Sequence, residues 1–112
     1  MGLDETQARE KGMEAGVTTF PLDQVPRSLA ARDTRGFIKL IRDNRTDRLI
    51  GARILAPEGS ELLMEISVAI KYGMTTQELA SLFHPYLTLS EGVKLAAISF
   101  EREVGKLSCC AN

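Results

Sequence analysis

The clearest pattern in the chain is a pair of runs, residues 36–42 and 48–56, in which apolar side chains recur at every second position. A period of two places such side chains on one face of a strand, and the polar loop 43–47 between the runs is typical of an antiparallel hairpin. Phe37 and Ile41 make the second face of the first run apolar as well. We therefore expect a helix or another chain to pack on that face.

Two shorter segments precede the hairpin. Residues 4–11 are polar with helix-forming side chains and end at Gly12, which predicts a short leading helix. Residues 17–22 are rich in β-branched side chains, and Pro21 predicts an edge strand or a strand that stops there. The stretch 25–30 is predicted to be an irregular connection.

After Pro57 the apolar period changes from two to the spacing of a helix, in three successive segments up to Val104. The expected caps and stops are Ser60, Gly73, Thr75 with Glu78, Pro85, and Thr88 with Glu91. Strands followed by helices indicate an α+β fold, an antiparallel sheet with helices packed on one face. We expect one domain over residues 1–104 and a flexible thiol tail over residues 105–112.

Composition and charge exclude several classes of protein. The 112 residues suffice for one compact domain, and a net charge of −1 argues against nucleic acid or an anionic membrane as a partner. No apolar run approaches the roughly 20 residues of a membrane span, and the first residues lack the features of a signal peptide. Cys109 and Cys110 are adjacent and terminal, which suits a reducing cytoplasm better than a disulfide scaffold.

The terminal pair Cys109 and Cys110 is the first candidate for chemistry. Thiolates are soft ligands that favour soft metals, so two of them on a flexible tail can capture a thiophilic ion. The alternative is that both are incidental cysteines in a disordered tail. Structural zinc is disfavoured because the tail offers only two sulfurs.

The second candidate is the segment 83–91, which places His84, Tyr86 and Glu91 between two expected helices. Histidine is the usual acid–base group near neutral pH. The residues alone leave open that His84 caps or packs, and that Tyr86 packs with a satisfied hydroxyl.

Three stretches together resemble the mercuric reductases, a branch of the pyridine nucleotide–disulfide oxidoreductases. They are VPRSLAARDTRGFIKL (25–40), HPYLTLSEGVKLAA (84–97) and LSCCA (107–111). The resemblance covers nearly the whole chain, and its most specific part is the terminal Ser-Cys-Cys-Ala. It implies the carboxy-terminal dimerisation (interface) domain of a homodimeric enzyme that uses FAD and NADP. That domain would lack the amino-terminal FAD and NADPH domains and a strand that the family places before Leu3.

The resemblance also implies roles for individual residues. In the lipoamide and glutathione branches this turn reads His-x-His-Pro-Thr, and the second His, the acid–base residue, falls here on Tyr86. A phenol at that position is consistent with mercury chemistry. Cys109 and Cys110, with Tyr86, would bind mercuric ion and pass it to an inner cysteine pair beside the partner's flavin. His84 would lie near that flavin, and Glu91 has no imidazole to orient at position 86.

Three hypotheses stay open: a domain of a mercuric reductase, a stand-alone dimeric soft-metal carrier, and a purely structural dimerisation domain. The isolated chain is expected to have no reductase activity. For self-association, the expected apolar surface is Phe37 with Ile41, or the helical stripe that contains Val93.

Overall fold

The computed structural model describes residues 1–101 and forms a three-stranded antiparallel sheet with helices on both sides. The strands are β1 (Ala15–Pro21), β2 (Phe37–Asp43) and β3 (Leu49–Leu55). The helices are α1 (Glu5–Glu10), α2 (Pro26–Ala30), α3 (Leu63–Lys71), α4 (Thr76–Ser81) and α5 (Ser90–Ile98), with short 3-10 turns at Leu22–Gln24 and Gly59–Leu62. The α+β class is confirmed. Val104 and the expected tail 105–112 lie outside the described residues.

The sheet has the order β1-β2-β3, so the predicted hairpin and the predicted edge position of β1 are both confirmed. Residues 1–3 lie along β3, where the N–H of Leu3 donates to the carbonyl of Ile50 at 2.9 Å. Gly2 and Gly51 form a bridge between these segments. The start of the described chain therefore covers one edge of the sheet.

The main core lies between one sheet face and the carboxy-terminal helices. Ile38 and Leu40 of β2 are fully buried in the same cluster as Val93 and Ala96 of α5. Gly92 permits the close approach of α5, because a Cβ there would lie 2.8 Å from Cδ1 of Ile38.

The second sheet face is covered by α1, which confirms the expectation that a helix or another chain packs there. Glu5 of α1 pairs with Lys39 at 2.6 Å, and Ala8 and Ile41 are fully buried. The α1 helix begins at a capping box in which the N–H of Gln7 donates to the Asp4 carboxylate at 2.7 Å. The helices are therefore not confined to one face, since α1 lies opposite the others.

These burial values correct the expected contact surfaces. Ile41 and Val93 have no exposed area, and Phe37 is only partly exposed. Ile41 and the part of the Val93 stripe formed by Val93, Ala96 and Ala97 belong to the interior, so the prediction that these residues provide surface for self-association is wrong.

Several local predictions were also wrong. Residues 26–30 form the short helix α2, with Pro26 in its first turn, where its fixed φ and missing N–H are tolerated. Ser60 does not cap α3; it lies in the 3-10 turn before that helix, and no side chain of the described residues caps α3. The α4 helix ends at Ser81, before Pro85 is reached. The capping box of Thr75 and Glu78 and the stop at Gly73, with φ of 63°, are confirmed.

Within residues 1–101 no helix combines the length and the apolar character that crossing a membrane requires.

Candidate functional site: the turn between α4 and α5

His84 anchors the beginning of the turn that joins α4 to α5. Its side chain is only 6% exposed. Nδ1 lies 3.1 Å from the carbonyl oxygen of Leu82, and Nε2 lies 2.5 Å from Oε2 of Glu65 on α3. Because a carbonyl only accepts, Nδ1 must carry a proton, and a further proton must lie between Nε2 and the Glu65 carboxyl group. The turn is thereby attached to α3.

Thr88 closes the other end of the turn. Its hydroxyl donates to the carbonyl of Pro85 at 2.8 Å and accepts from the N–H of Glu91 in the first turn of α5 at 3.2 Å. Between these residues Leu87 has a φ of 62°, in the left-handed region that a branched side chain disfavours. The turn therefore depends on contacts at both ends to hold a conformation that its own backbone does not favour.

Two aromatic side chains stand out from this turn. Phe83 is 94% exposed and Tyr86 is 61% exposed, on either side of the anchored His84. The turn thus presents the Tyr86 ring outward, where a molecule outside the domain can reach it.

Glu91 forms only half of the expected capping box. Its backbone N–H reaches Thr88, but its Oε1 is buried without a hydrogen-bond partner among the described residues. The imidazole of His84 is hydrogen-bonded to Glu65 and not to Glu91. Glu91 therefore does not orient His84.

An exposed apolar stripe on α3 was missed by the sequence reasoning. Met64, Val68 and Tyr72 follow one another at intervals of four residues and are 67%, 45% and 74% exposed. A spacing of four places side chains on the same side of a helix. The signal was present in the sequence, since these apolar positions alternate around α3 with the buried positions Ile66 and Ala69.

Comparisons with known proteins agree with this architecture. Residues 1–97 match the model of the family described as pyridine nucleotide-disulphide oxidoreductase, dimerisation domain. The chain belongs to this family. Because the family is a dimerisation domain, membership of it implies the expected homodimer.

The relatives include mercuric reductases. The chain is 50% identical over 111 residues to the mercuric reductase of Serratia marcescens, covering 99% of this chain and 24% of the relative. It is 43% identical over 111 residues to that of Bacillus cereus, covering 99% of this chain and 18% of the relative. The chain therefore spans a quarter or less of the length of these two relatives.

Solved structures show the same fold. LpdA from Mycobacterium tuberculosis superposes with a TM-score of 0.81 at 27% identity, over 91% of this chain and 22% of that chain. The HOCl-induced flavoprotein disulfide reductase RclA from Escherichia coli superposes with a TM-score of 0.80 at 31% identity, over 86% of this chain and 22% of that chain.

The described part of this dimerisation domain does not fit a flavin or a nicotinamide nucleotide. A groove of about 760 Å³ is open to solvent, and Arg42 in its wall is already paired with Asp47 and Glu101 at 3.1 and 3.2 Å. No glycine-rich loop leads into a helix among residues 1–101, since Gly2 and Gly73, the left-handed glycines shortly before α1 and α4, each stand alone. FAD and NADP are thus not assigned to residues 1–101.

A metal site is likewise not built into the described residues. Over residues 1–101 there is no group of three His, Cys, Asp or Glu side chains that could hold a metal ion. Cys109 and Cys110 lie outside the described residues, so of the residues predicted for the site only His84 and Tyr86 are placed, together in the turn between α4 and α5.

Proposed function

We propose that this chain is the dimerisation domain of a cytoplasmic mercuric reductase, and that Cys109 and Cys110 take up mercuric ion for delivery to the partner subunit. The similarity to mercuric reductases carries this proposal: at 50% identity it extends over 111 of the 112 residues and so through the positions of both cysteines. In the whole enzyme, FAD and NADPH in the other domains would supply the electrons that reduce the ion to elemental mercury.

The chemistry of the two cysteines supports uptake and release. Thiolates are soft ligands that prefer soft cations such as mercuric ion. By analogy with thiol–disulfide exchange, an incoming thiolate attaches before the outgoing one leaves. A tail that binds the ion through two sulfurs can therefore pass it to a second pair of thiols without releasing it into water.

Tyr86 would assist at the place of transfer. Its side chain is 61% exposed on the turn between α4 and α5, within reach of an ion that arrives at this surface, and a phenol oxygen would be the atom to meet it. Its neighbour His84 is engaged by Glu65 and Leu82, so His84 serves to hold the turn in place. We assign Tyr86 a role beside the metal and His84 a supporting role near the partner's flavin.

The second copy of the chain would pack on the α3 stripe, defined here as Met64, Val68 and Tyr72. These three side chains form the exposed apolar side of a helix whose other side is in the core. Exposed apolar side chains grouped on one element are typical of an interface. A symmetric dimer uses the same surface twice, so the stripe would meet its own copy around a twofold axis.

The test uses the complete flavoenzyme, with NADPH oxidation measured as a function of mercuric ion concentration in excess competing thiol. The proposal expects mercuric-ion-dependent turnover that falls in the Cys109→Ala/Cys110→Ala variant and persists in Ser108→Ala, a neighbouring control. The isolated chain should consume no NADPH. Turnover unchanged by loss of both cysteines would favour a purely structural domain, and absence of turnover in the unaltered enzyme would refute the assignment as a reductase.

A further inference from the structure

The contact between Glu65 and His84 joins two parts of the domain that the chain itself separates by α4. Glu65 belongs to α3 and directly follows Met64 of the α3 stripe. His84 belongs to the turn that presents Tyr86. The 2.5 Å contact between Nε2 and Oε2 therefore connects the helix of the proposed interface directly to the turn that carries the phenol.

His84 is the anchoring side chain of this turn. The neighbouring Phe83 is 94% exposed and Tyr86 is 61% exposed, whereas the His84 side chain is 6% exposed. Packing of those two aromatic rings into the core therefore cannot hold the turn against the domain. Both ring nitrogens of His84 are in contact with acceptor oxygens, one on Leu82 and one on Glu65.

The backbone of the turn needs such an anchor. Leu87 adopts a left-handed conformation that is unfavourable for its side chain. Thr88 fixes the end nearest to α5 through its two hydrogen bonds. Loss of the contact between His84 and Glu65 releases the end of the turn nearest to α4, and the backbone that carries Tyr86 can then relax toward a more favourable conformation.

We propose that Glu65 is a positioning residue for Tyr86: through its contact with His84 it holds the turn against α3 and fixes where the phenol is presented. Glu65 itself does not touch the ion. This inference rests on the proposed function for its effect on turnover, but the claim about position stands on the contact alone.

The experiment is a double-mutant cycle in the complete enzyme, with Glu65→Ala, His84→Ala and the double variant. Glu65→Gln is the conservative variant, because its amide can donate to an unprotonated Nε2 while Nδ1 still donates to Leu82. Glu61→Ala is the matched control, since it removes an exposed carboxylate just before the same helix. Alanine is a good helix former, so these substitutions leave α3 intact.

Three readouts separate a change in the position of the turn from a general loss of activity. Amide hydrogen exchange over residues 82–88 should rise by at least about tenfold in each Ala variant, without further increase in the double variant. The kcat for reduction of mercuric ion should fall by about ten- to a hundredfold, which is the loss of rate expected when a group at the reaction centre is misplaced. Reduction of a soluble dye at the flavin should not change in Glu65→Ala, because Glu65 is not placed beside the flavin. Glu65→Gln and Glu61→Ala should resemble the unaltered enzyme in all three measurements.

The proposal is overturned if exchange over residues 82–88 is unchanged in Glu65→Ala, or if the losses in the two single variants add in the double variant. A parallel fall of dye reduction and mercuric turnover in Glu65→Ala would also overturn it, because general destabilisation would explain both. If the unaltered enzyme does not reduce mercuric ion, the proposed function fails, and the exchange measurement still decides whether Glu65 positions the turn.

Discussion

The backbone N–H of Gln77 donates to the carboxylate of Asp47 at 2.9 Å, which joins the loop of the β2–β3 hairpin to the first turn of α4. The same carboxylate accepts from the hydroxyl of Thr76 and pairs with Arg42. Asp47 thus satisfies a free donor at the start of a helix that lies 30 residues further along the chain. This contact fixes α4, and with it the beginning of the turn that carries Tyr86.

Replacement of Asp47 by alanine should lower the free energy of unfolding by about 1–2 kcal/mol, because the Gln77 N–H loses its acceptor and the Arg42 pair is broken. Urea denaturation measures this change. Asp33→Ala is the control, since within residues 1–101 the Asp33 side chain pairs only with Arg35, which is exposed and close in sequence, and the change there should stay within about 0.5 kcal/mol. Equal losses in both variants would contradict the role given to Asp47.

The capping box of α4 should give the domain a specific acid dependence. The backbone N–H of Thr75 and then its side chain hold the pKa of Glu78 below its ordinary value of 4.5. Because the folded pKa is the lower one, the carboxylate stabilises the fold above the ordinary value and this contribution disappears as pH falls through the folded pKa.

Glu78→Gln tests this linkage, since glutamine also serves in a capping box but does not titrate. The difference in unfolding free energy between the unaltered chain and Glu78→Gln should be constant above about pH 5 and should shrink in more acid solution. A difference that grows on acidification would show that the sign is wrong.

The hairpin and the capping box of α4 could be predicted because their signals are local. The hairpin follows from a period of two around a polar loop, and the box joins Thr75 to Glu78 across a single helical turn. The α2 helix was missed because its five residues carry no apolar period. The signal for this helix in the sequence was Pro26, because proline is common in the first turn of a helix.

The contacts that position the candidate site could not be predicted in the same way. Asp47 meets Gln77 across 30 residues, and Glu65 meets His84 across 19. The sequence shows each charged side chain but does not show which distant donor the fold brings to it. The helix signals on either side placed Tyr86 on a turn, and the resemblance to a known family implied its role, whereas the contacts that hold that turn became visible only in the structure.

Dimerisation should depend on the α3 stripe. Val68→Glu places a charge in the middle of this apolar surface and should weaken self-association by at least about tenfold. Sedimentation velocity over a range of concentrations measures the effect. Leu55→Glu is the control, because Leu55 is similarly exposed, at 62%, but belongs to the sheet face covered by α1. Dissociation caused by Leu55→Glu and not by Val68→Glu would place the interface on that other face.

Substitution by glycine should affect the stability of the domain differently at two similar leucines of this region. Leu87 and Leu82 are 42% and 43% exposed, but only Leu87 has a positive φ. Leu87→Gly should leave stability unchanged or raise it by up to about 1 kcal/mol, because relief of the left-handed strain offsets the added flexibility of the unfolded chain. Leu82→Gly should lower stability by about 0.5–1 kcal/mol. Thermal unfolding of both variants decides; a larger loss at Leu87 would argue against strain in the turn.

Binding of mercuric ion by the terminal cysteines is measured most directly as ion bound per chain after equilibration with a competing thiol. The chain contains only two cysteines, Cys109 and Cys110. We expect about one ion per unaltered chain, held by both sulfurs, the same value for Ser108→Ala, and no retained ion in Cys109→Ala/Cys110→Ala. The same stoichiometry with and without the two cysteines would contradict the account.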